Sequence, residues 1–254
     1  MSSDCILLER HGAITVVKLA RPPANAITLE LGQEFEATFD AAMQDEPKAI
    51  VLTGTGDFFS GGLDLKVVPT YSPAQQKTFV RVLNGMIGTL YACPVPVVGA
   101  INGHAIAGGF ILALTADYRI GPTADSFFGL TEARVGVPFP AATMLVLQAE
   151  LAPADLRYTI LYAHIFGPQE ARQRGMLDEL QPPAAVLERA LEVAGELAST
   201  PADGYRRIKQ QVRGAAISRI EQLIATDSDP ALEGWITPEV RGAAAAILGG
   251  SRDG

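Results

Sequence analysis

Disulfide stapling is excluded at the outset, because Cys5 and Cys93 are the only cysteines in 254 residues and two cannot make a framework. Metal-ligand spacing is missing as well: His11, His104 and His164 stand isolated, and the two cysteines are far apart. Basic residues are the minority, 20 against 28 acidic ones, which leaves a formal charge of -8. A broad nucleic-acid footprint needs a basic face, so that class of partner is excluded. Nor is there an uninterrupted apolar run suited to a membrane helix, since Asn102, His104 and four glycines break the most apolar span, Val95 to Ala116. Nucleotide cradles fail on single positions. Gly54-Thr55-Gly56 has Phe59 where the dinucleotide fingerprint needs a third glycine, and no Lys-Ser/Thr pair follows. Ser60 has Phe58 where a nucleophile elbow requires glycine. No secretory signal pattern opens the sequence, and the expected location is the cytoplasm.

What is present is apolar mass, 48% of the chain, enough for one sizeable core, punctuated by glycine. The stretch Ala100 to Ile120, AINGHAIAGGFILALTADYRI, reads as a strand end, a turn at Asn102-Gly103, a glycine pair at Gly108-Gly109, and an apolar helix. The first N–H groups of a helix lack intrahelical acceptors and sit at the positive end of its dipole. Gly108 can therefore offer a donor to an anion or a polarised carbonyl, with no Cβ in the way. Taken alone, the stretch reads equally well as a buried helix whose glycines permit close packing. A second stretch, Phe58 to Lys66 (FFSGGLDLK), repeats the pattern after the β-branched run Ala49 to Thr53, and makes the N–H of Leu63 a second donor candidate. Two donors can grip one oxygen. Further on, Glu132 is a carboxylate flanked by Phe127, Phe128, Leu130, Val135 and Val137. An apolar wall raises a glutamate from about 4.3 toward roughly 6 to 7, where a general base works best at neutral pH.

These two glycine turns, in order and about 45 residues apart, resemble the paired signatures of the crotonase (enoyl-CoA hydratase/isomerase) superfamily. The resemblance continues through FFGLTEARVGVPFP at Phe127 to Pro140 and covers nearly the whole chain. It implies an α/β fold, a spiral of ββα units over residues 1–198, with a C-terminal helical region over 199–254 that caps the core or joins subunits. It also implies that the amides of Leu63 and Gly108 form an oxyanion hole for an acyl-CoA thioester, and that Glu132 is a catalytic carboxylate. Gly62, Asp64, Leu65 and Lys66 would line the substrate on the first turn. In RPPANAI, Ala24 and Ala26 would meet the adenine of coenzyme A; the same proline-fixed loop reads equally well as a plain entry to the next helix. The partners implied are the acyl-CoA substrate and further copies of the chain, as a trimer or hexamer. No cofactor is implied beyond the coenzyme A that the substrate carries.

One position departs from the superfamily pattern. A second glutamate would fall three residues after Gly108, where this chain has Ile111. Reversible hydration by the superfamily route uses two carboxylates, whereas moving a double bond from the 3,4 to the 2,3 position needs one. The local sequence is similar to the single-glutamate 3,2-trans-enoyl-CoA isomerases of fatty-acid oxidation. Hydration, thioester hydrolysis and non-catalytic acyl-CoA binding stand as the alternatives.

The remaining elements follow from local chemistry. Ile6 to Glu9 and Ile14 to Leu19 read as a hairpin about His11-Gly12, and Thr28 can cap a helix over Leu29 to Met43. Val67 to Ala74 reads as a polar, mobile loop, followed by a helix over Pro73 to Tyr91 and a strand over Val95 to Ala100. Helices are expected near Ala141 to Glu150, Pro153 to Ala163 and Pro183 to Ala198, and a strand over Leu177 to Leu180. His104, Asp64 and Asp117 read as structural turn or cap residues.

Overall fold

Strand β3 (Ala49–Gly54) is buried on both faces, as expected for the middle of a parallel sheet covered by helices on either side. It lies in a six-stranded sheet of order β1-β2-β3-β5-β7-β10. The flanking strands are β1 (Ile6–His11), β2 (Ile14–Leu19), β5 (Val97–Ala100), β7 (Tyr118–Pro122) and β10 (Glu179–Gln181). Only the β1–β2 hairpin is antiparallel. A second sheet, β4-β6-β8-β9, is built from β4 (Phe58–Ser60), β6 (His104–Ile106), β8 (Phe128–Gly129) and β9 (Ile165–Phe166). This computed structural model describes residues 5–237, with 239, 240 and 242. The part of the C-terminal region expected beyond these lies outside the described residues. None of the helices described is long and apolar enough to cross a membrane.

Side chains alternate along the large sheet, and each face has its own partner. Val16, Val51, Val98 and Ile120 face helix α8 (Val186–Ala198), whose Val186, Ala190, Val193 and Ala194 are buried against them. Val17, Ile50, Leu52 and Val97 face the main core, shared with helices α1 (Leu29–Gln44) and α2 (Pro73–Tyr91). Thr28 caps α1, its hydroxyl accepting the Leu31 amide at 3.2 Å, and Phe35 and Phe39 stack in the core. Ser72 and Gln75 close a capping box at the start of α2. The other helices are α3 (Gly108–Leu114), α4 (Glu132–Val135), α5 (Ala141–Glu150), α6 (Pro153–Ile160), α7 (Pro168–Gln173) and α9 (Ala202–Thr226).

Several expectations are corrected. The strand expected from Val95 begins at Val97, because Pro94 and Pro96 bring no N–H to the ladder; Pro96 serves only as an acceptor, for the Ile50 amide. The strand expected over Leu177 to Leu180 lies at Glu179–Gln181. The segment after Lys66 is a packed 3-10 turn, not a loose polar loop: Val68 is buried and the Tyr71 hydroxyl accepts the Leu29 amide at 3.0 Å.

Asp117 is more than a cap. Its side chain accepts the Val97 amide, and it also pairs with Lys209 at 2.7 Å and Arg213 at 2.8 Å from α9. Arg213 continues to Glu150 at 3.0 Å, which holds Arg119 at 3.2 Å. This buried network bolts α9 to the sheet. Asp117→Ala leaves two buried cations short of their carboxylate, a loss of the kind that costs about 3 to 5 kcal/mol. Urea unfolding checks this, and a midpoint equal to the wild type's would remove the network from the account of stability.

Candidate active site

The loop Arg21 to Ile27 and the first glycine turn are stitched together before they meet anything else. Asn25 is fully buried and donates to the carbonyls of Thr55 at 2.9 Å and Phe58 at 2.8 Å. Ser60 donates to the Asn25 carbonyl at 2.8 Å and accepts the Gly62 amide at 3.2 Å. Ile27 and Leu63 then form a parallel bridge: the Ile27 amide donates to Gly62 at 2.7 Å and the Asp64 amide to Ile27 at 3.1 Å. In such a bridge the residue between the two bonded groups turns its own N–H away, so Leu63 keeps a free donor.

The second turn arrives from the β6 side. Ala107 caps α3 with φ 52° and ψ -128°, a conformation that costs a non-glycine residue on the order of 1 to 3 kcal/mol and is kept at sites that need a fixed direction. The amide that follows is that of Gly108, which has no i-4 acceptor inside the helix. Gly62 has φ +79°, and a Cβ there would lie 2.7 Å from the Ala107 Cβ and 2.8 Å from the Gly108 nitrogen. Only glycine lets the two turns close on each other. Asn102 locks them from behind, accepting the Gly54 amide at 2.9 Å and donating to Gly56 at 2.8 Å.

Leu63 and Gly108 open onto a cavity of about 30 Å³ that is also lined by Ile111, Glu132, Thr143 and Trp235. Glu132 is the first residue of the one-turn helix α4, and the Val137 amide donates back to its carbonyl at 3.1 Å. The residue is 7% exposed and its Oε2 has no hydrogen-bond partner among the described residues. Burial pushes the carboxyl up to about 7, while the amides of Glu132 and Thr131 pull the other way. Ile111 stands in the same wall, 4% exposed.

The other expected site residues fall around this cavity without lining it. Asp64 accepts the Lys66 amide at 3.0 Å and pairs with Arg21 at 2.8 Å; Leu65 is half-buried and Lys66 is exposed. The carbonyls of Ala24 and Ala26 already accept donors, the Gly61 amide at 2.8 Å and the Arg21 guanidinium at 3.2 Å. Each carbonyl has a second lone pair for a ligand. Phe127, expected beside Glu132, is 54% exposed and stacks outward on His104, whose Nδ1 accepts the Phe127 amide at 3.1 Å. Of the five expected neighbours of Glu132, Val137 lines the cavity.

Residues missed from sequence come from the far helices and the chain's late part. Leu83, Met86 and Ile87 line the cavity from α2, and Thr143 from α5. Trp235 covers it and donates to the Pro138 carbonyl at 2.6 Å. Asp229 fastens the same segment, accepting from Asn84 at 2.7 Å and from the Ala141 amide at 2.8 Å. The available signals were the single tryptophan and the one hydroxyl within AATMLVL.

Two sheets whose glycine turns bring the amides of Leu63 and Gly108 into one cavity with a buried carboxyl, followed by a helical C-terminal region, match the crotonase fold. The family model of enoyl-CoA hydratase/isomerase matches residues 9–232, and the chain belongs to that family of enzymes. It is 30% identical over 221 residues to a probable enoyl-CoA hydratase, echA17, of Mycobacterium avium, covering 85% of each chain. It is also 30% identical over 224 residues to the carnitinyl-CoA dehydratase of Escherichia coli K12, covering 87% of this chain and 84% of that one. Among solved structures, human mitochondrial delta3-delta2-enoyl-CoA isomerase superposes with a TM-score of 0.89 at 26% identity, over 98% of this chain and 100% of that one.

Proposed function

We propose that the protein isomerises 3-enoyl-CoA to 2-trans-enoyl-CoA. The observation that carries this reading is that, among the described residues, Glu132 is the one carboxyl lining the cavity, with isoleucine at the position where a second acid would serve hydration. Glu132 takes a proton from C2, the thioester oxygen becomes a dienolate oxygen held by the Leu63 and Gly108 amides, and Glu132 returns the proton to C4. One carboxyl reaches both carbons because they flank the same allylic unit. Coenzyme A enters as part of the substrate, and the reaction needs no resident cofactor. A 3-enoyl-CoA series in light and heavy water tests the proposal: a product of unchanged mass in light water, with deuterium entering from heavy water, is expected. Hydrolysed product alone, or tight binding without turnover, would overturn it.

The proposal extends to self-association. Ile208 and Val212 expose an apolar stripe on α9 and are 61% and 78% exposed, as expected of a helix face covered by another copy. Sedimentation at several times 26.8 kDa is expected, and a monomer would remove this part.

Ile111 gives a further prediction. Ile111→Glu is expected to raise hydration of 2-enoyl-CoA by placing a second carboxyl in the cavity, at a cost in stability because the new charge lies in an apolar wall. A folded variant whose hydration rate matches the wild type's would show that this position does not govern the choice of reaction.

A further inference from the structure

The single tryptophan of the chain, Trp235, is 1% exposed and forms one wall of a very small cavity. Its ring packs on Phe79 of α2 at 5.9 Å between centroids, and its N–H is tied to the Pro138 carbonyl at 2.6 Å, which fixes both the tilt and the depth of the indole. A second cavity of about 630 Å³ adjoins this wall. Pro138 and Phe139 line both cavities, and Gly234, the residue before Trp235, lines the larger one. Met144, Leu145 and Leu223 give that larger cavity apolar walls. The α2 wall of the small cavity is backed by protein instead, since Leu83, Met86 and Ile87 belong to the main core.

We infer that Trp235 limits the length of the acyl chain, and that the protein selects thioesters of about four carbons over longer ones. The inference rests on the cavity being the acyl-CoA reaction site. With the thioester oxygen between the Leu63 and Gly108 amides, the carbons beyond the carbonyl lie in the space of about 30 Å³ beside Glu132. A water-sized atom takes roughly 10 to 15 Å³ of such space, which leaves room for about two or three. A four-carbon 3-enoyl group places C2, C3 and C4 there, the carbons between which the proton and the double bond move. Each further methylene has to displace a wall, and a packed wall resists because its side chains are forced off their rotamers. The α2 wall has the core behind it. The indole is a partition with space on its other side, held in place by Pro138 and Phe79. Removing the ring joins the two cavities and gives a longer tail an apolar seat against Met144 and Leu223.

The test measures kcat/KM for 3-enoyl-CoA thioesters of four, six, eight and ten carbons on wild type, Trp235→Leu and Trp235→Ala, each first checked for a native thermal transition. Calorimetric titration with saturated acyl-CoA thioesters of the same lengths reads the selection without turnover. For the wild type, kcat/KM should fall by about tenfold or more from four to eight carbons, since one misfitting methylene in an apolar pocket is worth roughly 10- to 200-fold. The long saturated thioesters should bind more weakly than the short ones. In Trp235→Ala the order should reverse, the eight- and ten-carbon substrates gaining about tenfold or more while the four-carbon substrate loses, with Trp235→Leu between the two. Wild-type turnover and binding that stay level or rise with chain length overturn the inference and leave the isomerase reading standing. So does an unchanged length order in a natively folded leucine or alanine variant. Should neither variant fold, the wild-type series decides alone. Length-selective binding without isomerisation overturns the isomerase reading and supports the inference.

Discussion

Glu132→Gln is expected to lower turnover of 3-enoyl-CoA by a factor on the order of 100 to 10,000, the range for removing a general acid-base group, while making the protein more stable above neutral pH. The two effects share one cause. Burial raises the folded-state value of this carboxyl from 4.5 to about 7. For a group raised on folding, the stabilisation is fully present below the unfolded value and is lost as pH rises through the folded one. Wild type therefore gives up stability between about pH 4.5 and 7 as Glu132 ionises in an apolar wall. Glutamine never ionises. At one pKa unit per about 1.4 kcal/mol, the variant should gain roughly 3 to 4 kcal/mol on wild type at high pH and little at low pH. The proposed base acts in its ionised form, so wild-type kcat/KM is expected to climb with pH and level off above about 7. Denaturant titrations at pH 4 and pH 8 with steady-state rates check all three, and near-normal isomerisation by the glutamine variant would remove Glu132 from the mechanism.

Gly108→Val is expected to cost roughly 100- to 1,000-fold in turnover with the fold retained, the effect of losing one donor to a developing oxyanion. The neighbouring glycines make this a sharp comparison. A Cβ at Gly109 would lie 2.0 Å from the Ser60 carbonyl oxygen, a backbone clash that nothing can relieve cheaply, so Gly109→Ala should fail to fold. At Gly108 the nearest atom to a Cβ is the far end of Ile27, at 3.0 Å, which can swing aside. Packing thus has room for a Cβ at 108 and none at 109. Leu63→Ala, which keeps its amide, should fall far less than Gly108→Val. Wild-type rates from a natively folded Gly108→Val protein would mean that the second turn is scaffold only.

Legibility in the sequence followed the range of the interactions. The two glycine turns, the Thr28 cap, the whole of α2 and the whole of α5 were readable because their causes lie within a few residues. Glu132 stood out through its neighbours, although one of them, Phe127, points outward. Asn25 was passed over because the carbonyls it satisfies lie 30 and 33 residues away. Asp117 looked like a turn residue because its partner Lys209 lies 92 residues on, and α9 shows no local sign of its buried cations. Thr143 and Trp235 join the site only through tertiary packing, which no periodicity records.

The roof contributed by Trp235 also sets an order on synthesis. When the ribosome has released the chain through α9, the amides of Leu63 and Gly108, the Glu132 carboxyl and the helical walls of the cavity have all been made. The tryptophan and the Asp229 clamp that close it come afterwards. Until they dock, the apolar surroundings that raise the Glu132 carboxyl are incomplete. A nascent chain can therefore hold every group proposed to react before the cavity around them is closed.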